Sequence, residues 1–352
     1  MAQNKIIVHL CGGCGASIGE KALSEINNAG SGFAKMTFSY VDTSAANYNK
    51  ETALGDLWLV KTKSHSKGTI SGSGGDRSRH AGDIVDSIKE YLDFNKIKVR
   101  KNDEFHLVVF SGSGGTGNMC GATILKELLA LDIPCLCLVV GDSGKIDVGG
   151  NMVYARNTIK TLETIENYAL KANKAVNVIY FNNSMLDNNS KIAENKVNNL
   201  IYNVALGLST FLSGEHESID SQDMINIIDP SSFKSIKVKA GVYGLTVAHG
   251  EPKAPAGTIP IIARTLTTPN VSGDINFGLF HQKQGIIMDE NVLKIYKDVL
   301  PMHLIMFANT LTIEMQALEE LVGNAEELMN SITPHSLKKS KSDDESDEGF
   351  IF

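Results

Sequence analysis

The sequence is poor in the features that would settle its class quickly. No apolar run approaches the roughly 20 residues that a membrane-spanning helix needs, so none is expected. Basic residues are outnumbered 33 to 40, and a net charge of −7 argues against a global attraction to nucleic acid, leaving only local basic patches. The N-terminus, MAQNKIIVHL, enters a strand-like segment without a basic n-region or a cleavage site. There are only five cysteines, an odd number: Cys11, Cys14, Cys120, Cys135 and Cys137. Cys11-Gly-Gly-Cys14 has CxxC spacing, which metal and redox sites use, but no second pair accompanies it and the two glycines suit a loop better. The count fits a reducing, cytoplasmic compartment. A Walker A loop is also missing, since GDSGKI lacks both the spacing and the Ser/Thr after Lys.

What is present is a regular alternation. Strand-like runs at 5–10, 35–41, 57–60, 105–110, 135–140 and 176–181 are interleaved with helical patterns at 16–26, 83–94 and 119–131. Short, nearly continuous apolar strands between amphipathic helices predict a mainly parallel, Rossmann-like sheet covered on both faces. Hydrophobic content of 42% is ample for that core.

A helix pattern of more than twenty residues follows at 191–212, too polar at its start for a membrane and placed as a spine. Beyond it, strands are expected at 234–245, 258–268, 278–288 and 302–308, with helices at 292–299 and 310–330. The expected organisation is an α/β nucleotide-binding domain over 1–190, a central helix over 191–213, a smaller α+β domain over 214–309, a C-terminal helix over 310–337 and an acidic tail over 338–352. That tail, KKSKSDDESDEGFIF, cannot bury enough apolar surface to fold alone, yet ends in three bulky apolar residues.

Glycine is concentrated at strand ends. SGSGGTGN, residues 111–118, joins a strand to a helix; Cys11-Gly12-Gly13-Cys14-Gly15 does so earlier. Gly72-Ser73-Gly74-Gly75-Asp76-Arg77 precedes the helix near 83, and Gly141-Asp142-Ser143-Gly144 follows strand 135–140. Each lies after or near the carboxyl end of an expected parallel strand, where open α/β sheets bind ligands. Glycine lets backbone N–H groups approach phosphate, and a following helix N-terminus adds donors and partial positive charge. One such loop reads equally well as a tight turn; several at one sheet edge do not. A dinucleotide site, with Gly12, Gly15, Gly19 and Asp42, explains residues 1–45 but leaves SGSGGTGN unused.

SGSGGTGN closely resembles the GGGTG[ST]G signature of the tubulin/FtsZ superfamily. The resemblance covers about residues 5–330, strongly in the loops and weakly in the second domain. It implies a GTP/GDP site with four phosphate loops: Gly12, Gly13, Cys14 and Gly15; Asp42 and Thr43 after Val41; Gly74, Gly75, Asp76 and Arg77; and Ser111, Gly112, Ser113, Gly114, Gly115, Thr116, Gly117 and Asn118. Mg²⁺ would bridge the phosphates. Asn182 or Asn183, and Asn198 with Asn199 before LIYNVALGL, resemble the base and ribose contacts. No Lys lies in SGSGGTGN, so neutralisation would fall to N–H dipoles, the metal or Arg77; Arg77 and Arg79 read otherwise as solvated charges.

The family's catalytic loop, NxDxxD, resembles Ser218-Ile219-Asp220-Ser221-Gln222-Asp223, with Ser in place of Asn. Asp220 and Asp223 also read as a helix N-cap and its third position, and the two roles are compatible. "FLSGEHESIDSQDM", "NTIKTLETIE" and the tail are most similar to the phage-encoded tubulins of the PhuZ type. The resemblance implies a GTPase that assembles head to tail, Asp220 and Asp223 completing the neighbour's site, and a role in positioning phage DNA or replication bodies in the host cytoplasm. The tail carries its own expectation: an acidic run with an apolar tip docks on a basic, partly apolar groove of a neighbouring subunit, giving polymer contacts through Asp343, Asp344, Glu345, Asp347, Glu348, Phe350 and Phe352, the alternative being a solvated tail. No membrane or direct nucleic-acid partner is expected. Two other readings stay open: a nucleotide-binding segregation or adaptor protein that does not hydrolyse, and an NAD(P)-dependent oxidoreductase.

Overall fold

The computed structural model describes residues 4–26, 30–63, 73, 75–101, 103–142, 152–183, 190–214, 216–278, 280–296 and 300–332. Six strands, β1 (Lys5–Cys11), β2 (Lys35–Asp42), β3 (Gly55–Leu59), β4 (Glu104–Ser111), β5 (Cys135–Gly141) and β6 (Ala175–Asn182), lie side by side in the order β3-β2-β1-β4-β5-β6. Every neighbouring pair among them is parallel. Their side chains divide by the two-residue period of a strand. Phe105, Leu107 and Val109 of β4 and Leu136, Leu138 and Val140 of β5 face one core, while Val108, Phe110, Cys135, Cys137 and Val139 face the other. Both faces are buried, which is why these strands are apolar at nearly every position.

Helices α2 (Ala81–Phe94), α3 (Thr116–Ala130) and α4 (Val153–Ala172) cover one face. The other carries α1 (Gly12–Ile18), a π-turn at Gly19–Leu23 that prolongs it, and the 24-residue α5 (Ser190–Ser213). α1 starts at the strand end, four residues before the expected 16, so Gly12 to Gly15 form its first turn rather than a loop. α4 has no counterpart among the expected elements. Its buried stripe includes Ala155, Thr158, Thr161 and Ala169, small or hydroxyl residues that leave the apolar period weak.

After α5 come β7 (His216–Glu217), α6 (Ser221–Ile228), β8 (Gly241–His249), β9 (Ile259–Thr267), β10 (His281–Ile287), α7 (Glu290–Tyr296), β11 (Met302–Ala308) and α8 (Thr310–Ile332). Among the described residues these strands extend the same sheet, as β6-β8-β11-β9-β10-β7. The strand expected at 234–245 starts later, at Gly241, because β8 pairs in register with β6, which itself begins at Ala175. The tail, with the polymer contacts expected between Asp343 and Phe352, lies outside the described residues.

Candidate functional site

The strand order turns back between β1 and β4, and there the chain leaves both strands through glycine. Gly12 has φ +70°, and a Cβ on it would stand 2.7 Å from Gly117 Cα. A Cβ on Gly117 would stand 2.8 Å from the Cys11 carbonyl oxygen. The first and fourth loops are thus pressed together backbone to backbone at a topological switch point, where open α/β sheets take their ligands. Neither α1 nor α3 has a side-chain cap, so the first-turn N–H groups of α3, from Thr116, Gly117 and Asn118, have no capping side chain at the positive end of the helix.

The other loops close around it. Thr43 and Thr116 hydroxyls are 3.0 Å apart, and Asp42 Oδ1 accepts from Thr43 N at 2.7 Å and Ser44 N at 3.3 Å. Burial raises the Asp42 pKa, against those N–H donors. Ser111 Oγ accepts from the N–H groups of Ser113 and Gly114 at 3.2 and 3.3 Å, pre-forming the turn. Asn118, fully buried, donates to the carbonyls of Gly112 and Gly114. Gly75 is open on its Cβ side, and a Cβ on Gly114 would meet only the Ser111 side chain, at 3.9 Å. Gly74 lies outside the described residues, as do Ser143 and Gly144.

Sequence reasoning missed the element that fixes these loops. On α4, Asn157 Nδ2 donates to Gly75 O at 3.0 Å and Ser113 O at 2.9 Å, tying the third loop to the fourth. Thr161 donates to Gly112 O at 2.8 Å and Thr158 to Asp142 O at 3.2 Å. Their spacing is helical, but Asn and Thr on a helix carry no sequence signal of their own. Arg77 is engaged by the same helix, Nη1 donating to Asn157 O and Nη2 to Thr164 Oγ1, both at 3.3 Å; Arg79 is exposed.

A cavity of about 490 Å³ adjoins the first loop, lined by Cys14, Ser17, Val140, Asn183, Val197 and Asn198 among others. Asn198 Nδ2 and Asn183 Oδ1, in two of the side chains on its wall, are buried without a hydrogen-bond partner among the described residues. A cleft of this size with amide side chains on its wall has room for a small ligand. Asn182, at the end of β6, is buried but does not line the cavity, and Asn199 faces outward on α5, about 100° around the helix from Asn198. A larger cavity of about 690 Å³ lies beside Trp58 and Phe94, away from every glycine loop. The five cysteines are free, and burial pushes the Cys14 thiol up to about 12.

Asp220 and Asp223 lie elsewhere. Asp220 caps α6, its Oδ1 accepting from Asp223 N at 3.0 Å, while Asp223 Oδ2 accepts from Asp220 N at 3.4 Å: a reciprocal capping box. Asp220 is exposed, and the Asp223 N–H bond, with Lys283 nearby, holds its carboxyl below the usual carboxylate range. Asp223 is buried and paired with Arg264 at 3.2 Å and with Lys283. Ser218, in the position of the family's Asn, has φ +67°, a left-handed conformation that Asn tolerates better than Ser. Asn4, just before β1, donates to Leu212 O at 2.7 Å and contacts Met224 sulfur at 3.7 Å. The acid loop therefore sits at the start of β1 and the glycine loops at its end, about 20 Å apart along seven extended residues. Along α5, Asn198 and Leu212 are separated by about 21 Å.

No protein-family model and no curated protein matches the chain. Solved structures do. The protofilament of TubZ from Bacteriophage PhiKZ superposes over 99% of both chains with a TM-score of 0.72 and 19% identity. The phage tubulin PhuZ with GDP covers 99% of both at 0.71 and 17%. A point mutant of FtsZ from M. jannaschii covers 87% of this chain and 90% of its own at 0.57 and 13%. With the doubly covered sheet, the spine helix and the glycine loops at the switch point, these likenesses show that the chain has the tubulin/FtsZ fold, in the form taken by the phage tubulins.

Proposed function

We propose that this chain binds GTP at the glycine loops and hydrolyses it in a head-to-tail filament, each copy's acid loop completing the site of the next. One observation carries this reading: the loops suited to phosphate and the carboxylates suited to water activation lie some 20 Å apart at opposite edges of one sheet. A single chain cannot bring them together, whereas a heterologous contact between copies does, and such a contact propagates into a filament when its rotation does not close. The TubZ neighbour is a protofilament and the PhuZ neighbour carries GDP, which supports both halves of the reading.

In the mechanism, the uncapped amides of α3 and the backbone of residues 111–118 take the phosphate oxygens and the charge that builds on them. Asn198 and Asn183 take the base edge; an amide can turn either atom toward it. Mg²⁺, where it accompanies the nucleotide, would supply charge that offsets the phosphates. Asp220 of the neighbouring copy, exposed and ionised, orients the attacking water, a task of geometry and proton acceptance. The acidic tail with its apolar tip would reinforce assembly by docking on an adjacent copy, and the filament would position or carry phage DNA or replication bodies in the host cytoplasm.

The test is sedimentation with GTP, GDP, ATP or no nucleotide, following phosphate release in the same samples. GTP-dependent pelleting and concentration-dependent hydrolysis are expected. Asp220→Asn should still pellet while releasing phosphate at least about a hundredfold more slowly, and removing 343–352 should sharply weaken pelleting. Binding of nucleotide without assembly or turnover would instead favour the segregation or adaptor reading.

A further inference from the structure

The acid loop carries its own counter-charges, and they differ in reach. Arg264 on β9 has no exposed surface; its Nη2 donates to Asp223 Oδ1 at 3.2 Å and its guanidinium lies over Phe233 at 5.7 Å. Lys283 on β10 pairs with the other carboxylate oxygen, yet its side chain keeps 38% of its surface exposed. Arg264 can meet nothing outside the chain, whereas Lys283 can. The remaining charged or titratable groups facing the pair are Asp220 and His281, the latter kept neutral by burial and by Arg264. Asp220, Asp223, Arg264 and Lys283 sum to zero formal charge.

At the opposite edge residues 111–118 contain no Lys or Arg; among the described residues Arg77 and Lys160 lie beside Gly75 on the α4 side, the Arg77 guanidinium held by Asn157 and Thr164. A triphosphate seated there repels two carboxylates brought up to it, and the repulsion grows as water is excluded. The capping box and the Lys283–Asp223 pair join the three side chains, so a phosphate brought up to Asp220 also approaches the Lys283 ammonium.

We infer that Lys283 is the cation of the head-to-tail contact, facing the terminal phosphate of the neighbouring copy's nucleotide and offsetting its repulsion of the acid pair. The inference rests on the proposed assembly. It makes Lys283 a residue that acts on the partner's nucleotide and not on its own, whose loops are about 20 Å away. An anchoring role toward Asp223 alone would show as lost stability, while a contact role shows in assembly and its salt dependence.

The experiment compares wild type, Lys283→Met, Lys283→Gln and Lys283→Arg in the full chain. It measures affinity for a fluorescent GDP analogue below the assembly concentration, the critical concentration for GTP-dependent pelleting at several NaCl concentrations, phosphate release per pelleted subunit, and thermal melting. Met and Gln are expected to keep GDP affinity within about twofold and melt near wild type. Their critical concentration should rise at least about tenfold with a flatter salt dependence, and Arg should restore most of it. Met and Gln variants that assemble and hydrolyse like wild type would overturn the inference alone, as would variants whose only defect is early melting. A wild-type chain that binds GDP and never pellets would remove the assembly reading, and the inference with it.

Discussion

Gly12 and Gly117 touch through their backbones: Gly117 fills the space that a Cβ on Gly12 would need, and the Cys11 carbonyl the space that a Cβ on Gly117 would need. The contact places the amide-rich turns after β1 and β4 side by side, so that one anion can receive N–H groups from both. Gly117→Ala would push a methyl to 2.8 Å from the Cys11 carbonyl and force the loops apart. Affinity for a fluorescent GDP analogue should fall at least about tenfold, and unchanged affinity would show that the two loops do not share a ligand.

Asn157 donates its side-chain amide to two loop carbonyls. Asn157→Asp keeps its shape and turns a donor into an acceptor facing two acceptors. Removing a partner from a buried hydrogen bond costs roughly 1–3 kcal/mol. Nucleotide affinity should drop about tenfold or more while α4 stays folded. Circular dichroism and GDP titration of the same samples separate the two effects.

Ser218 holds a left-handed conformation that costs an L-residue roughly 1–2 kcal/mol. Ser218→Asn or Ser218→Gly should relieve part of this and raise the urea midpoint by the equivalent of about 0.5–1 kcal/mol. A lower midpoint for both variants would mean that the hydroxyl, not the backbone, matters at this position.

The pair His9 and His106 predicts a pH effect. His9 Nε2 and His106 Nδ1 are 3.0 Å apart inside the sheet, and Tyr91 OH lies 2.6 Å from the other nitrogen of His9. Burial depresses both, His106 to about 4 and His9 well below the ordinary 6.5. Between about 4 and 6.5 the unfolded chain binds protons that the folded chain refuses. Stability is therefore full above about pH 6.5 and is lost as pH falls toward 4, by about 3 kcal/mol for His106 alone. Urea unfolding at about pH 7.5 and about pH 5 checks this, and His106→Asn should flatten the dependence.

The first half of the fold was legible because its strands are buried on both faces. Runs such as EFHLVVFS and CLCLVVG have few other interpretations, and glycine at their ends marks where backbone must approach backbone. The helix after Ser190 was legible by length. α4 was not, because its buried stripe is rich in Thr and Ala, and its Asn and Thr side chains bond to loops instead of adding to an apolar period. The start of β8 was misplaced because a strand begins where its partner does, and the partner, β6, lies over fifty residues earlier in sequence.

For the site, local chemistry decided what sequence could decide: glycines that admit an anion, carboxylates spaced to cap a helix, an Asn pair early in a long helix. Those properties belong to a few consecutive residues and are written in their order. Tertiary structure alone decided which of these meet. It put Asn198 beside the first loop and turned Asn199 outward, engaged Arg77 on α4, paired Asp223 with a buried arginine forty-one residues away, and set the acids a full strand length from the glycine loops. Distances of that kind depend on strand order and helix length summed across the whole chain, and no local run of residues contains them.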